Sequence, residues 1–309
     1  MTFEDTACLL CGSTDRRVVE RTGAMMCDDD HGSFTFQRCA QCGLVYLSPR
    51  PTAEDVAAFY PSYYLPHRGA EAWGRWSFLT SIGLRAEVGR RVDRMRRFLD
   101  GPASVLDLGC GRPDFLFAAH EAFGGPSVGV DFAAPSWQDE RFAALDLRDG
   151  DPSVLDPSTL GRFDAITMWH YLEHDYAPRR TLERLHAAAH ASTHLFVEVP
   201  DHGSETRHEQ GPHWEGYHTP RHTAVYDRDT LIALLEAAGW EVIDWAPHGS
   251  LDAFNLWWMG ERERQGLRWD VSLEAEMPSY LMKRALRGLR FARRGRRMGI
   301  QTAVARPAR

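Results

Sequence analysis

One stretch, Val105-Leu-Asp-Leu-Gly-Cys-Gly111, limits what this chain can fold into more than any other. A short apolar run breaks into two glycines one residue apart, and from Phe115 the spacing turns helical. The stretch therefore predicts a strand, a tight turn and a helix start. Gly109 and Gly111 let the backbone approach a ligand closely, and the helix start behind them offers free N–H groups to a polar or anionic group. A strand followed by G-x-G serves many nucleotide-binding folds, so the turn alone leaves the ligand open.

Downstream of the turn the same pattern recurs. Strand-like runs at 105–108, 127–131, 143–147, 163–169 and 195–199 alternate with helical patterns at 115–122 and 177–191. Such alternation predicts an α/β fold, a doubly wound and mostly parallel sheet with ligands at the carboxyl ends of its strands. Asp131 closes the second run twenty positions after Gly111, where a carboxylate can accept hydrogen bonds from ribose hydroxyls. NAD and S-adenosylmethionine both fit that geometry.

Four of the six cysteines fall into two pairs of one form, Cys8-Leu-Leu-Cys11-Gly12 and Cys39-Ala-Gln-Cys42-Gly43. This is the spacing of two zinc knuckles, each with a glycine for the positive-φ turn behind its thiolates. Four thiolates fill a tetrahedral shell, so the zinc expected here is structural. Cys27 and His31 bracket three aspartates between the pairs and are the alternative ligands. The start of the chain lacks the basic and apolar regions of a signal peptide, and no apolar run is long enough to span a bilayer. A cytoplasmic location is the expectation. A net charge of −7 gives no global attraction to nucleic acid or to an anionic membrane.

Asp107-Leu-Gly-Cys-Gly111, Val130-Asp131 and above all Phe163-Asp-Ala-Ile-Thr-Met-Trp-His-Tyr-Leu-Glu-His174 with Pro178 resemble class I S-adenosylmethionine-dependent methyltransferases. The cysteine knuckles, Pro49-Arg-Pro51 and Tyr60-Pro-Ser-Tyr-Tyr64 look like a zinc-bearing subgroup that includes sugar and natural-product, hence antibiotic-biosynthesis, enzymes. The resemblance implies a Rossmann-like seven-stranded sheet, mostly parallel, with an antiparallel edge formed by its last two strands, the final one near 299–305. It implies a zinc-binding module over 1–51, a helical linker or cap over 52–101, and a catalytic domain over 102–309. The last carries a lid loop at 202–226 and a helical insertion at 250–297.

By the same resemblance Gly109 and Gly111 flank the methionine part of S-adenosylmethionine, with Asp107 near its amino end and Asp131 on the ribose. Asp146 and Leu147 border the adenine, and Trp169 and His170 line the methyl-donor side. Core packing is the alternative for Trp169 and Tyr171, and helix capping for Glu173 and His174. Pro113 stands where a third glycine is usual, and proline suits a first helical turn.

Methyl transfer to a poor nucleophile needs a base. The candidates are His170, His174, Tyr217, His218 and His222, the last three from a loop that also holds His202, His208 and His213. The expected acceptor is a small metabolite, methylated on O, N or C. The alternatives are an rRNA or tRNA substrate, and a protein that uses S-adenosylmethionine for other chemistry. Seven arginines between Arg284 and Arg297 predict a basic helix surface, either merely solvated or matched to an anionic or carrier-bound acceptor.

Overall fold

The computed structural model describes residues 1–27, 31–132, 134–293 and 295–309, so the three aspartates of the acidic loop and Arg294 lie outside the described residues. In chain order the elements are β1 (Phe3–Glu4), β2 (Arg16–Gly23), β3 (Ser33–Cys39), β4 (Val45–Leu47), β5 (Arg50–Pro51), α1 (Leu65–Arg68) and α2 (Ser77–Met95). Next come β6 (Ala103–Leu108), α3 (Asp114–Phe123), β7 (Gly124–Asp131), β8 (Asp146–Asp149), β9 (Phe163–Trp169), α4 (Pro178–Arg184) and β10 (Ala189–Pro200). The chain ends with α5 (Glu205–Gln210), β11 (Ala224–Val225), α6 (Arg228–Ala237), β12 (Trp240–Ala246), α7 (Ala253–Arg264), α8 (Met277–Phe291) and β13 (Ile300–Pro307).

These elements form two compact units interleaved along the sequence. One holds residues 1–85, 200–228 and 247–300; the other holds 86–199, 229–246 and 301–309. The first unit runs past 51 and the second begins before 101, each being made of separated stretches of the chain. Long-range pairing decides this: Ala224 and Val225 of β11 pair with Tyr46 and Val45 of β4, which joins the 200–228 segment to the amino-terminal sheet.

The second unit is the α/β fold. Among the described residues its sheet has seven strands in the order β12-β13-β10-β9-β6-β7-β8. The pairs from β10 through β9, β6 and β7 to β8 are parallel, whereas β12 and β13 pair antiparallel at the other edge. The apolar runs that read as buried strands are buried: Val105, Ala165 and Phe196 meet Phe115, Leu116 and Ala119 of α3 and Val92 and Met95 of α2 in one core. Gly124, left-handed at φ 65, ends α3 by donating its N–H to the His120 carbonyl.

The sequence errs at two places here. Residues 143–147 alternate like a strand, but Asp139 caps a 3-10 turn over Glu140–Ala144 by accepting from the Arg141 amide at 3.0 Å, and β8 starts only at Asp146. The helix expected over 177–191 gives way to a 3-10 turn, Leu185–Ala188, and then to β10.

The first unit carries the antiparallel sheet β11-β4-β3-β2. Phe34, Phe36, Phe59, Trp214 and Tyr217 form one apolar cluster, and Trp73, Phe254, Trp257, Trp258 and Trp269 belong to another. The aromatic residues Phe254, Trp257 and Trp258 therefore pack a core. Among the described residues no helix is long and apolar enough to cross a membrane.

Candidate functional site

The glycine turn lies at the carboxyl end of β6, as its sequence requires. Gly109 and Gly111 have φ values of 72° and 49°, in the left-handed region that glycine enters without a Cβ penalty. The Gly111 N–H donates to Asp131 Oδ2 at 2.8 Å, and the Trp137 indole N–H donates to the Gly111 carbonyl at 2.9 Å. A Cβ on Gly111 would meet nothing within 4 Å, so the turn faces open space. A Cβ on Gly109 would lie 2.6 Å from the Tyr171 ring, which packs directly on that glycine. Pro113 takes the position just before α3, where its missing N–H costs no helical hydrogen bond.

Asp107 is buried, and Thr167 Oγ1 donates to its Oδ1 at 2.6 Å. Burial pushes its carboxyl up to about 7, against the pull of that hydrogen bond and of the Arg91 charge. Arg91 pairs with Glu87 at 2.6 Å and lies over the rings of Trp169, at 5.4 Å, and Phe115, at 5.9 Å. In the sequence, only the i, i+4 partner Glu87 points to this placement.

Strand register sets Asp146 and Asp149 at different heights along β8. Asp146 opens β8 opposite Val128, three residues before the carboxyl end, while Asp149 stands opposite Asp131. Three strand residues are about 10 Å. Asp146 pairs with Arg148 at 2.8 Å, and Leu147 packs toward Gly129. Asp149, with Gly150 donating its amide to the Asp131 carbonyl at 3.1 Å, is the acidic residue beside the turn.

Trp169, expected on the donor side, is buried between Phe115 and Phe196, with ring centroids 5.3 and 6.4 Å away. Core packing was its alternative reading, and that is what the side chain does. His170 comes next at φ 57°, a strained angle for a non-glycine residue. Its Nδ1 lies 3.2 Å from Glu173 Oε1 and its Nε2 3.2 Å from Glu198 Oε1, both carboxylates being buried. Burial alone would lower its pKa, but the two hydrogen bonds and the two negative charges prevail and raise it to about 10. Both ring nitrogens of His170 are thus engaged by buried carboxylates. His174 ends the short turn Leu172–His174, its amide bonded to the Tyr171 carbonyl at 2.9 Å.

The remaining base candidates belong to the first unit. Tyr217 is fully buried against Phe36, its hydroxyl 3.4 Å from His202 Nε2 and 3.3 Å from Arg207 Nε. Burial raises the pKa of that phenol, and its ring packs in the apolar cluster of Phe34, Phe36 and Trp214. His218, at φ 38°, sits in a buried chain: Glu215 Oε1 is 2.5 Å from its Nδ1, and the Tyr64 hydroxyl is 2.6 Å from its Nε2. Burial pushes Glu215 up to about 8, opposed by the nearby positive charge of Arg221. The Arg221 guanidinium lies 4.5 Å over the Tyr64 ring and donates to the Phe59 and Met25 carbonyls. His222 Nδ1 donates to the Gly216 carbonyl at 2.8 Å, which leaves Nε2 as the accepting nitrogen of the neutral ring. Tyr64 and Glu215 were not among the base candidates. A tyrosine-rich run and a Glu three residues before a His were the signals for them.

Cys8, Cys11, Cys39 and Cys42 converge, with all four sulfurs within 4.8 Å of one another. Cys8 and Cys42 are 3.3 Å apart and Cys11 and Cys39 3.5 Å. Zinc–sulfur bonds of about 2.3 Å put tetrahedral sulfurs about 3.8 Å apart, so the cage fits zinc. Gly12 and Gly43 turn at φ 75° and 81°, and the amides of Leu10 and Cys11 point at Cys8 Sγ.

The basic helix differs from expectation. Arg284 pairs with Asp252 at 2.5 Å, Arg287 and Arg290 with Glu209 at 3.3 and 2.5 Å, Arg296 with Glu205, and Arg297 with Asp201 at 2.6 Å. Acids of the same unit therefore pair with most of the arginines expected to make a basic surface over 284–297.

A family model described as "Methyltransferase domain" matches residues 82–244. No curated protein matches the chain in sequence. Among solved structures, the 1,6-didemethyltoxoflavin-N1-methyltransferase of Burkholderia thailandensis is 17% identical, with 87% of this chain and 97% of that one covered at a TM-score of 0.51. A TehB-like S-adenosylmethionine-dependent methyltransferase of Corynebacterium glutamicum is 16% identical over 79% of this chain and 100% of that one, at 0.45. Coclaurine N-methyltransferase is 13% identical over 72% and 71%, at 0.48.

Proposed function

The chain belongs to the class I S-adenosylmethionine-dependent methyltransferases, and from that premise we propose that it methylates an O, N or C atom of a small metabolite, in natural-product biosynthesis. The toxoflavin enzyme of similar fold, which binds 1,6-didemethyltoxoflavin together with S-adenosylhomocysteine, supports the choice of substrate class. A net charge of −7 and the pairing of the carboxyl-terminal arginines speak against a nucleic-acid substrate.

The donor set suits the cofactor. Asp131 would hold the ribose hydroxyls, the open turn at Gly109 and Gly111 the methionine portion, and Arg91 its carboxylate. Asp149 takes over from Asp146 on the adenine side. Bound S-adenosylmethionine supplies an electrophilic methyl group for in-line transfer. The zinc of the four-cysteine cage has no open coordination position, so its part is to fold the amino-terminal segment.

The acceptor proton is assigned to the chain Tyr64–His218–Glu215, and that chain is the observation carrying the mechanism. Glu215 fixes the tautomer of His218 and Nε2 receives a proton through the Tyr64 hydroxyl, the logic of an oriented base. His222 is the second candidate, because its Nδ1 is committed to the Gly216 carbonyl. The test is acceptor-dependent release of S-adenosylhomocysteine from a panel of small hydroxyl, amine and carbon-acid compounds, with His218→Ala and His222→Ala beside the parent enzyme. Loss of about 100-fold or more in kcat for His218→Ala at unchanged cofactor affinity supports the assignment. Full turnover in that variant sinks it.

A further inference from the structure

Helix α8 is turned inside out. Met277, Tyr280 and Phe291 pack against the aromatic cluster of its unit, and Arg284 and Arg287 on the same side reach Asp252 and Glu209. Positions 277, 280, 284, 287 and 291 form one face at alternating three- and four-residue spacing, and that face docks the helix. A surface helix ordinarily turns charge to water on its other face. Here the other face is Leu281, Met282, Ala285, Leu286 and Leu289, exposed by 43, 58, 78 and 83% at the four larger residues, 281, 282, 286 and 289. Phe78, Leu79 and Ile82 on α2 are also exposed, by 68, 43 and 45%. The two helices start close together, since the rings of Trp73, one turn before α2, and Tyr280 are 5.7 Å apart.

We propose that this apolar face is the interface of a twofold dimer, in which α8 of one copy packs antiparallel on α8 of another. Three observations select a second copy. The spacing is self-complementary: a twofold axis beside Ala285 and Leu286 sets Met282 of each copy against Leu289 of the other, as an isologous contact requires. Ala285 lies beside that axis, and its small side chain lets the two backbones approach. The seven large side chains together present roughly 800 Å², about what each partner contributes to a stable interface. An anionic membrane is a poorer match, because α8 spends Arg284, Arg287 and Arg290 on acids of its own unit and the chain carries −7 overall.

The full-length zinc-loaded protein is to be examined by sedimentation velocity and light scattering across about a hundredfold range of concentration. The expected result is a dimer. Leu286→Glu combined with Leu289→Glu should give a monomer whose circular dichroism, zinc content and melting are those of the parent, because neither side chain is buried. Ala285→Cys, close to the axis, should form an intermolecular disulfide under mild oxidation, whereas Phe117→Cys on α3 should not. A parent that is monomeric at every concentration overturns the proposal, as does a dimer that the double variant leaves intact. Sedimentation of the parent, but not of the double variant, with phosphatidylcholine–phosphatidylglycerol vesicles would overturn it in favour of a lipid surface.

Discussion

Asp131 Oδ2 accepts the Gly111 N–H at 2.8 Å, so the carboxylate proposed for the ribose also fixes the turn that faces it. Removing it should cost both functions. Asp131→Ala is expected to weaken S-adenosylhomocysteine by about 10- to 150-fold, the range for one hydrogen bond to a charged group. Titration calorimetry measures this, and wild-type affinity in the variant would exclude Asp131 from the cofactor site.

Gly109 is constrained twice, by φ 72° and by the Tyr171 ring that a Cβ would reach at 2.6 Å. Gly109→Ala should therefore destabilise the protein by roughly 1–2 kcal/mol from the left-handed angle alone, plus the clash. Adding Tyr171→Ala should recover the clash and leave the backbone cost. Thermal melts of the parent, both single variants and the double variant separate the two contributions.

His170 bridges Glu173 and Glu198, and removing the cation leaves two buried carboxylates facing each other. His170→Gln should cost about 3–5 kcal/mol. Because the folded-state pKa is raised to about 10 from an ordinary 6.5, the stabilisation is fully present below pH 6.5 and is lost as pH climbs through 10. The stability gap between parent and variant, tracked by urea unfolding, should narrow across that window. A gap that widens with pH would mean that the ring is neutral in the folded protein.

What the sequence made legible was local. The glycine turn, the two Cys-x-x-Cys-Gly knuckles and Asp131 at a strand end are set by a few adjacent residues, and each stands where its spacing put it. The choice between Asp146 and Asp149 depends on register, and register depends on which residue of β7 lies opposite. Trp169 and Tyr217 carry groups that suit a site, yet Phe115, Phe196 and Phe36 decide their burial, and these come from elsewhere in the chain. The arginines of α8 show the same limit. Their charge was visible, but Glu205 and Glu209, some eighty residues earlier, determine that it is neutralised.

The sulfur cage predicts one zinc per chain. Elemental analysis should find it, and a strong chelator should release it with loss of structure around the cysteines, because Cys8, Cys11 and Cys42 lie outside any strand and only Cys39 ends one. Cys39→Ser should lower the zinc content and the melting temperature together. A metal-free chain that melts like the parent would assign the four sulfurs to packing alone.

The relay from Tyr64 through His218 to Glu215 makes its own prediction about pH. Nε2 of His218 accepts a proton only when Nδ1–H points at an accepting oxygen of residue 215, which a protonated Glu215 donating to Nδ1 does not offer. With the acid held near 8 by burial, the pair keeps an extra proton at neutral pH. kcat/KM should therefore rise as pH increases to about 8 and then level. Glu215→Gln still accepts from Nδ1–H, so it should retain activity while that acid limb moves to the pKa of the histidine alone. Tyr64→Phe should keep the limb and lose kcat, because it breaks the relay beyond the titrating pair. A pH profile that Glu215→Gln leaves unchanged would place the base outside this chain, with His222 next in line.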